Sequence, residues 1–417
     1  MGLIHSKTYN PNIFAWASAL NGLPLPRTQN ISKTTGLNRE KKKEIGRSTN
    51  EGLVGYKKQS PSVSFSISQL EYGAIDIFKY LANKNVTGLT LSDFASSAFD
   101  YVAYLTDDAG TFLGSKWYHN LRLAGFSIGA GDPEADIERT FDFVGEKDKT
   151  LQGNNKYFIW KSKTVASGDL TSADSVVIAV NTPDAVENPD EAGKYMLTVL
   201  RDRSGVVSEL VDGTDFTYSS VTKNLTVTSC QVDDIIKYAY SATTQGSQVM
   251  WTDNDSDPAV ISPESAEIYL YIPSVGHPTS ADYVYRLQEG SVTVSFDRRD
   301  IKEWGNKNVV ARGIRSKTVT ISLGRFSISN AIEEILRGAG AGYGLLDVEK
   351  FASNIKWVMK IYSDNTKQTF KLGLKATGIS PTELAHIMAV DEYKEVTNTL
   401  ECEALTITTV EADLLDS

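Results

Sequence analysis

Residues 285–324 read "YRLQEGSVTVSFDRRDIKEWGNKNVVARGIRSKTVTISLG", and residues 26–68 read "PRTQNISKTTGLNREKKKEIGRSTNEGLVGYKKQSPSVSFSIS". At a constant offset of 259 residues, 27–46 align with 286–305, and eight of the twenty pairs are identical. The identical pairs are Arg27/Arg286, Gln29/Gln288, Ser32/Ser291, Thr34/Thr293, Arg39/Arg298, Lys43/Lys302, Glu44/Glu303 and Gly46/Gly305. The first copy then has three extra residues before "PSVSFSI" aligns with "KTVTISL". A duplication of this kind predicts two similar domains in one chain.

Both copies alternate apolar and small polar residues, which is the pattern of a half-buried strand. The apolar positions are Val292, Val294 and Phe296, then Val319, Ile321 and Leu323, and in the first copy Val63, Phe65 and Ile67. Serine and threonine occupy the alternate positions. The first strand of the first copy is more polar, because Lys33 and Thr35 stand where the second copy has Val292 and Val294.

A helix and a second pair of strands are predicted after each of these strand pairs. Residues 71–84 and 327–340 have apolar residues at helical spacing, with Asn83 and Gly338 as C-terminal stops. The closing strands are "LRLAGFSIGAG" with "ERTFDFVGE", and "TFKLGLKATGIS" with "LECEALTITT". Each unit is therefore predicted to consist of a strand pair, a helix and a strand pair.

The region between the two units has a different composition. Residues 151–265 contain 16 acidic and 8 basic side chains, which accounts for −8 of the net charge of −10. Short strands ("SVVIAV", "YMLTVL", "DFTYSS", "NLTVTS" and "DIIKYAYSA") alternate with turn signals such as "DRSG" and "VDGTD". This spacing favours an independent immunoglobulin-like sandwich. We expect an N-terminal arm at 1–21, the two repeated domains at 22–149 and 265–417, and the insert at 150–264.

Composition narrows the classes of function. The 417 residues are 41% hydrophobic and 23% charged, as in ordinary globular proteins. The negative net charge argues against tight binding to a phosphate backbone. No apolar run approaches the roughly 18 residues of a membrane span, so we expect no membrane association. The two cysteines, Cys230 and Cys402, form no disulfide framework, which suits assembly in a reducing cytosol.

Candidate chemical motifs are weak. "GFSIG" would make Ser127 a nucleophile only if the strand ran directly into a helix, and "AGDPEAD" follows it instead. Asp253, Asp255, Asp257 and Glu264 have the spacing of a calcium loop, but Pro258 stands where such a loop needs glycine. Nothing else has metal-ligand or catalytic spacing. We therefore expect no enzyme activity, no cofactor and no metal, with the calcium loop as the weak alternative.

The repeated unit, most clearly in its second copy, resembles the tail tube proteins (major tail proteins) of tailed bacteriophages. The similarity rests on the strand, charged turn, "NVVARG" stretch and second strand at 285–323, and less closely on 26–67. It implies a mainly β fold in which two tube domains each add four strands to a common barrel and pack a helix outside it. Six such domains form a ring and rings stack into a hollow tube, so three copies of a two-domain chain would make one pseudo-hexameric ring.

The resemblance also implies the partners and the residues that meet them. Viral DNA and the tape measure protein would occupy the lumen, with tail terminator and tail-tip or baseplate proteins at the ends. The chain would assemble in the host cytoplasm and reside in the virion tail. We hypothesise that small hydroxyl side chains line the lumen, namely Ser62, Ser64, Ser66, Thr318, Thr320 and Ser322. Charged turns are expected to contact neighbouring subunits or rings through Arg39, Glu44, Gly46, Arg298, Glu303 and Gly305.

Two other hypotheses remain open at this stage. A β-rich virion protein with a sandwich could be a decoration protein or a host-binding adhesin. A hydrolase using Ser127 is the third. If the sandwich projects from the outside of a tube, a tail without a contractile sheath is favoured.

Overall fold

The structure of the protein is a computed structural model. It describes residues 7–15, 23–24, 27–36, 39–43, 53–58, 62–82, 86–94, 99–106, 112–145, 147–153, 157–171, 174–180, 185, 187, 195, 197–204, 206–244, 259–273, 276–284, 287–302, 309–326, 355–387 and 395–416. Within these residues the chain is mainly β, which confirms the predicted fold class. The predicted second helix at 327–340 lies outside the described residues.

Strands alternate with short turns along the whole described chain. The first unit contains β1 (Lys7–Ala15), β2 (Leu23–Pro24), β3 (Thr28–Gly36), β4 (Arg39–Lys43), β5 (Leu53–Lys58), β6 (Ser62–Leu70), α1 (Asp76–Ala82), β7 (Gly88–Thr90), β8 (Phe99–Thr106), β9 (Phe112–Ala130), β10 (Glu138–Gly145) and β11 (Lys147–Gln152). The middle region contains β12 (Tyr157–Thr164), β13 (Val176–Ala179), β14 (Leu197–Arg203), β15 (Val206–Glu209), β16 (Phe216–Ser219), β17 (Asn224–Val227) and β18 (Ile235–Ala242). The last part contains β19 (Ala266–Tyr271), β20 (Leu287–Lys302), β21 (Val309–Phe326), β22 (Lys356–Tyr362), β23 (Phe370–Ile387) and β24 (Glu395–Thr408).

The strand order of the main sheet repeats. Its central strands run β3-β6-β10-β9 and continue as β20-β21-β24-β23. In chain order, each set of four is arranged first, second, fourth, third. The flanking strands repeat as well, since β8 pairs with β9 and with β1, and β22 pairs with β23 and with β19. The expected N-terminal arm thus contains a strand, β1, that belongs to this sheet.

One hydrophobic core extends under both sets of strands. It contains Phe65 and Phe126 from the first set and Val294 and Ile321 from the second, all almost fully buried. The α1 helix lies at the predicted position and buries Phe78 against Phe126 and Phe141, with ring centroids 5.3 and 5.4 Å apart. Burying apolar side chains of this size contributes roughly 1.5–3 kcal/mol each. The two sets therefore share their main stabilisation.

The middle region forms two facing sheets with a core of its own. The sheets are β12-β18-β14-β15 and β13-β17-β16, and the core between them includes Ile159, Ile178, Leu225 and Tyr240. Five of these strands coincide with predicted segments, whereas β12 and β15 were not predicted. A separate apolar cluster joins this sandwich to β8, β9 and β11, with the Trp117 and Phe158 rings 4.7 Å apart.

A buried ion pair lies where the chain returns from the sandwich to the main sheet. Arg139 Nη1 lies 3.4 Å from Glu71 Oε1, and both side chains are fully buried. The Glu71 carboxylate also accepts the backbone N–H groups of Tyr72 and Gly73 at 2.9 and 2.6 Å. The backbone of Glu71 bonds to both Ile137 and Ile261. Glu71 therefore ties the end of β6 to the start of β10 and to the segment that leads into β19.

We predict that Glu71→Gln lowers the free energy of unfolding by about 3–5 kcal/mol, because it leaves the Arg139 charge buried without its counter-charge. Chemical denaturation monitored by circular dichroism measures the change. Lys163→Met is the matched control, since it removes an exposed ion pair with Asp169 and should change stability little. Equal effects of the two substitutions would contradict the role assigned to the buried pair.

Candidate functional site

One face of the eight central strands is covered by small polar side chains. Residues in direct register across these strands lie on the same face. The three central rows are Asn30-Ser68-Thr140-Ser127-Thr293-Thr320-Glu401-Ser380, Ser32-Ser66-Asp142-Gly125-Ser295-Thr318, and Leu70-Glu138-Gly129-Ser291-Ser322-Thr399-Glu383. We call this surface the hydroxyl face. Its three rows contain four carboxylates, no lysine or arginine, and one apolar side chain, Leu70.

Four of the residues predicted to line a lumen lie in these rows, namely Ser66, Thr318, Thr320 and Ser322. Ser64 and Ser62 lie on the same face beyond them, and the row of Ser64 continues through Val144 to Arg122. Ser64 and Thr318 are exposed, and Ser62, Ser66, Thr320 and Ser322 are half-buried. Their neighbours in sequence point into the core, where Val63, Phe65, Val319 and Ile321 are at most 1% exposed. The strand alternation seen in the sequence thus separates a wet face from a dry one. The rows extend the hydroxyl face to β10, β9 and β24, which the sequence analysis did not assign to it.

The two sets of strands meet along β9 and β20. Six antiparallel pairs join them, from Gly290 opposite Ala130 to Ser295 opposite Gly125. A Cβ atom added at Gly129 would lie against the Gly290 carbonyl oxygen and Ser291 Cβ, and one added at Gly125 would lie 2.6 Å from the Val294 carbonyl oxygen. Both glycines are therefore required for this close approach.

This junction explains the "GFSIG" motif. Ser127 lies in the middle of β9, paired with Thr140 on one side and Thr293 on the other. β9 runs to Ala130 and a turn leads directly into β10, so the strand-to-helix turn that a nucleophilic serine needs is absent at Ser127. The spacing of the two glycines reflects strand packing.

Arg298 bonds across the same junction. β9 bulges next to Leu123, because Phe143 pairs with Leu123 and Asp142 with Gly125. The guanidinium of Arg298 donates from Nε to the Leu123 carbonyl oxygen, and from Nη2 to the Phe94 carbonyl oxygen at 3.1 Å. A bulge disrupts the ladder of backbone hydrogen bonds locally, so a charged donor here is well placed to stabilise it.

The other charged-turn residues are only partly described. Arg39 lies in β4, which pairs with β5. Glu44, Gly46, Glu303 and Gly305 lie outside the described residues. The role of these turns in subunit contacts therefore stays a prediction.

Among the described residues, the set of eight central strands has an open strand edge at each of its two ends. β3 pairs with β6 on one side and with no described strand on the other. β23 pairs with β24 along its length, but its other edge is covered by β22 only from Phe370 to Thr377. The edge at 383–387 is open in the described structure. An open strand edge is a template for pairing with another chain.

The shifted titratable groups lie away from the hydroxyl face. Burial, then a hydrogen bond to Glu267, raises the pKa of Tyr269, which belongs to β19. Burial lowers the pKa of Lys237 in the sandwich to about 8, and Asp202 opposes that shift. These groups sit in strand-to-strand contacts rather than in a cleft. They suggest structural networks more than catalysis.

No metal-ligating cluster was found among the described residues. Asp253, Asp255 and Asp257 of the candidate calcium loop lie outside them, and Glu264 lies in a 3₁₀ turn, Pro263–Ser265. Within the described part of the chain, no helix combines the length and the apolarity that a membrane crossing requires.

Comparison with known proteins found little. No protein-family model matches the chain, and no curated protein matches it. Among solved structures, it is similar to the anti-feeding prophage cap, described as the tube terminating cap, with a TM-score of 0.29 and 12% sequence identity. The match covers 39% of this chain and 100% of that one. A similarity at this level carries no argument about function.

We predict that Gly129→Ala lowers the free energy of unfolding by about 1–3 kcal/mol, because the added Cβ overpacks the β9–β20 junction. Thermal unfolding followed by circular dichroism measures the change. Gly131→Ala is the control, since an added Cβ there meets no atom within 4 Å. If Gly129→Ala were as stable as Gly131→Ala, the junction would not depend on close approach of the two strands.

Proposed function

We propose that this protein is a structural subunit of a virion tail tube, and that three copies close into a pseudo-hexameric ring. The observation that carries the proposal is the junction of β9 and β20 between two strand sets of the same order. It joins the two sets edge to edge in one sheet by pairing the third strand of one set with the first strand of the other. It leaves open the edge of β3, the first strand of the first set, and the edge of β23, the third strand of the second set. The same pairing of third with first strands, repeated between chains, would close a ring, as the resemblance to tail tube proteins implies.

The stagger of the sheet supports closure into a barrel. Following the second row from Ser66 through Asp142, Gly125 and Ser295 leads to Thr318. In the alignment of the two copies, Thr318 corresponds to Ser62, four residues before Ser66. The row therefore shifts by four residues over four steps between neighbouring strands, which is a stagger of one residue per strand. Eight-stranded barrels of shear 8 have the same ratio of stagger to strand number, and their strands tilt by about 36°. A sheet must be staggered in this way to close.

The ring would enclose a wide channel. Three chains would contribute 24 strands, and strands about 4.8 Å apart and tilted by about 36° give a barrel roughly 45 Å in diameter between backbones. Serine, threonine and glycine side chains project little from the backbone, so most of this width would remain open. The core on the other face of the sheet would be outside this channel.

The chemistry of the hydroxyl face suits a channel for DNA. Its hydroxyl groups bind water, and its carboxylates repel phosphate. The three rows offer neither the cations that hold a phosphate backbone nor aromatic rings on which bases stack. DNA and a tape measure protein could therefore pass without being retained. The ends of the tube would meet terminator and tail-tip or baseplate proteins.

The sandwich is proposed to project from the tube. It contacts β8, β11 and the first half of β9 through Trp117, Leu151 and Phe158, apart from the β9 residues 125–130 that form the junction. Three sandwiches inside one ring would obstruct the bore. An exterior position favours a tail without a contractile sheath.

The first test is the mass and shape of the purified full-length chain. We expect particles of three copies, each of 45.7 kDa, by native mass spectrometry, and rings or hollow tubes by negative-stain electron microscopy. Monomers or compact fibres would instead favour a decoration protein or an adhesin and would refute the tube.

A second prediction concerns the channel. Replacing Ser68 and Thr320 with lysine should leave rings intact but make them retain linear DNA, with an affinity that falls steeply as salt rises. Gel-shift assays on assembled rings measure retention. The control is Val221→Lys, which adds a cation at a sandwich position that is 89% exposed. Equal DNA retention by the two variants would argue against a lumenal position for Ser68 and Thr320.

A further inference from the structure

We infer the register in which one copy of this chain binds the next, an inference that rests on the proposed ring. β3 of one copy pairs antiparallel with residues 383–387 of β23 in its neighbour, with Thr34 opposite Ala385 and Gly36 opposite Glu383. Arg39 of the first copy donates to the carbonyl oxygen of Pro381 in the second. The template for this contact is the β9–β20 junction inside the chain.

The first step is the correspondence of strands, which is given by the strand ends and the pairing registers. The first strands, β3 and β20, start at Thr28 and Leu287, which are 259 residues apart, as are the aligned copies. The second strands, β6 and β21, end at Leu70 and Phe326. Glu138 lies opposite Leu70 and Glu395 lies opposite Phe326, so the fourth strands correspond at an offset of 257 residues. Gly129 lies opposite Glu138, and Ile387 opposite Glu395, so the third strands correspond at 258.

The second step is a bulge that both units share. In β9 it falls between Leu123 and Gly125, at Ala124. In β23 it falls between Pro381 and Glu383, at Thr382, which lies 258 residues after Ala124. Bulges are specific features that re-aim a strand. The open edge of β23 thus shares the bulge of the β9 edge that receives β20, although Glu383 and Ile387 stand where β9 has Gly125 and Gly129.

The third step is the arginine that bonds to this bulge. Arg298 donates to the carbonyl oxygen of Leu123, next to the bulge of β9. Arg39 is the residue of the first copy that aligns with Arg298, and Pro381 is the residue of β23 that corresponds to Leu123. The second acceptor of Arg298 is the carbonyl of Phe94.

The side chains at the two junctions are compatible with one register, although they differ. Inside the chain, glycine on the third strand (Gly125) faces Ser295 on the first. Between chains, glycine on the first strand (Gly36) would face Glu383 on the third. Ile387 would face Ser32 where Gly129 faces Ser291, so this end of the contact between chains must be wider. β3 is polar and has Lys33 at an inward position. A lysine on an edge strand discourages pairing with strands other than the matching one.

Paired cysteines test the register directly. In full-length protein, Thr34→Cys with Ala385→Cys should form disulfides between copies on mild oxidation, giving covalent trimers on a non-reducing gel. Strand pairs in direct register bring Cα atoms within the range of a disulfide. Ser127→Cys with Thr293→Cys is the matched pair within the chain, and it should oxidise without changing the mass. Burial raises the pKa of the Cys402 thiol to about 12 and also raises that of Cys230, so neither should compete.

The outcomes separate this inference from the proposed function. Thr34→Cys with Leu384→Cys, shifted by one residue, places the thiols on opposite faces and should not crosslink. Rings in which the matched pair within the chain oxidises but the 34/385 pair does not would overturn the register and leave the tube standing. A chain that stays monomeric would overturn both.

Arg39 and Arg298 provide a second comparison. Arg39→Ala should weaken association of copies by about ten- to hundredfold, the effect of losing hydrogen bonds from a charged donor. Arg298→Ala should lower the melting temperature, because its contacts lie within one chain. Sedimentation equilibrium and thermal unfolding measure the two effects. Unchanged association of the Arg39→Ala variant would overturn the assigned contact.

Discussion

The structure depends on how closely β9 can approach β20. Six antiparallel pairs link strands that are separated in sequence by the whole sandwich, and glycines at 125 and 129 make room for the opposing backbone. Because of this contact, two four-strand sets become one sheet over one core. Ile261 anchors the returning chain by backbone bonds to Glu71 and Ile137, so the chain rejoins the main sheet beside the end of β6 and the start of β10.

A continuous sheet with one face on the core has a second face whose chemistry is free to serve another purpose. Here the alternation of every strand points in the same sense, so apolar residues such as Phe126, Val294 and Ile321 all lie beneath the sheet. The three central rows consist mostly of hydroxyls, glycines and carboxylates, with Asn30 and Leu70 in β3 and β6. An isolated sheet would gain no stability from such a surface. In the proposed channel, these rows would bind water and would present no cation to hold a polyanion.

Two arginines bond at places where separate segments of the chain meet. The fully buried pair of Arg139 and Glu71 links the end of β6 and the start of β10 to the segment that leads to the last unit, and the half-buried Arg298 donates to the Leu123 carbonyl oxygen beside the β9 bulge. Desolvating a guanidinium is costly, and Arg139 offsets part of that cost by donating from Nη1 to the Glu71 carboxylate and the Ala74 carbonyl oxygen. Arg298 recurs in sequence as Arg39, whereas Arg139 corresponds to Val396, so only the first of these contacts belongs to the repeated unit.

The sequence by itself determined the class of fold, the repeat, and which face of β6, β20 and β21 is buried. Those properties follow from local periodicity, because side chains alternate across a strand wherever it lies. Helix α1 and five strands of the sandwich were predictable for the same reason, whereas the short β15 and the weakly alternating β12 were not. The meaning of "GFSIG" and of Arg298 could not be read from the sequence. Both depend on which strand lies next to β9, and that pairing joins residues more than 150 positions apart. Only the tertiary structure decided it, because long-range register is set by packing over a shared core and not by any local pattern.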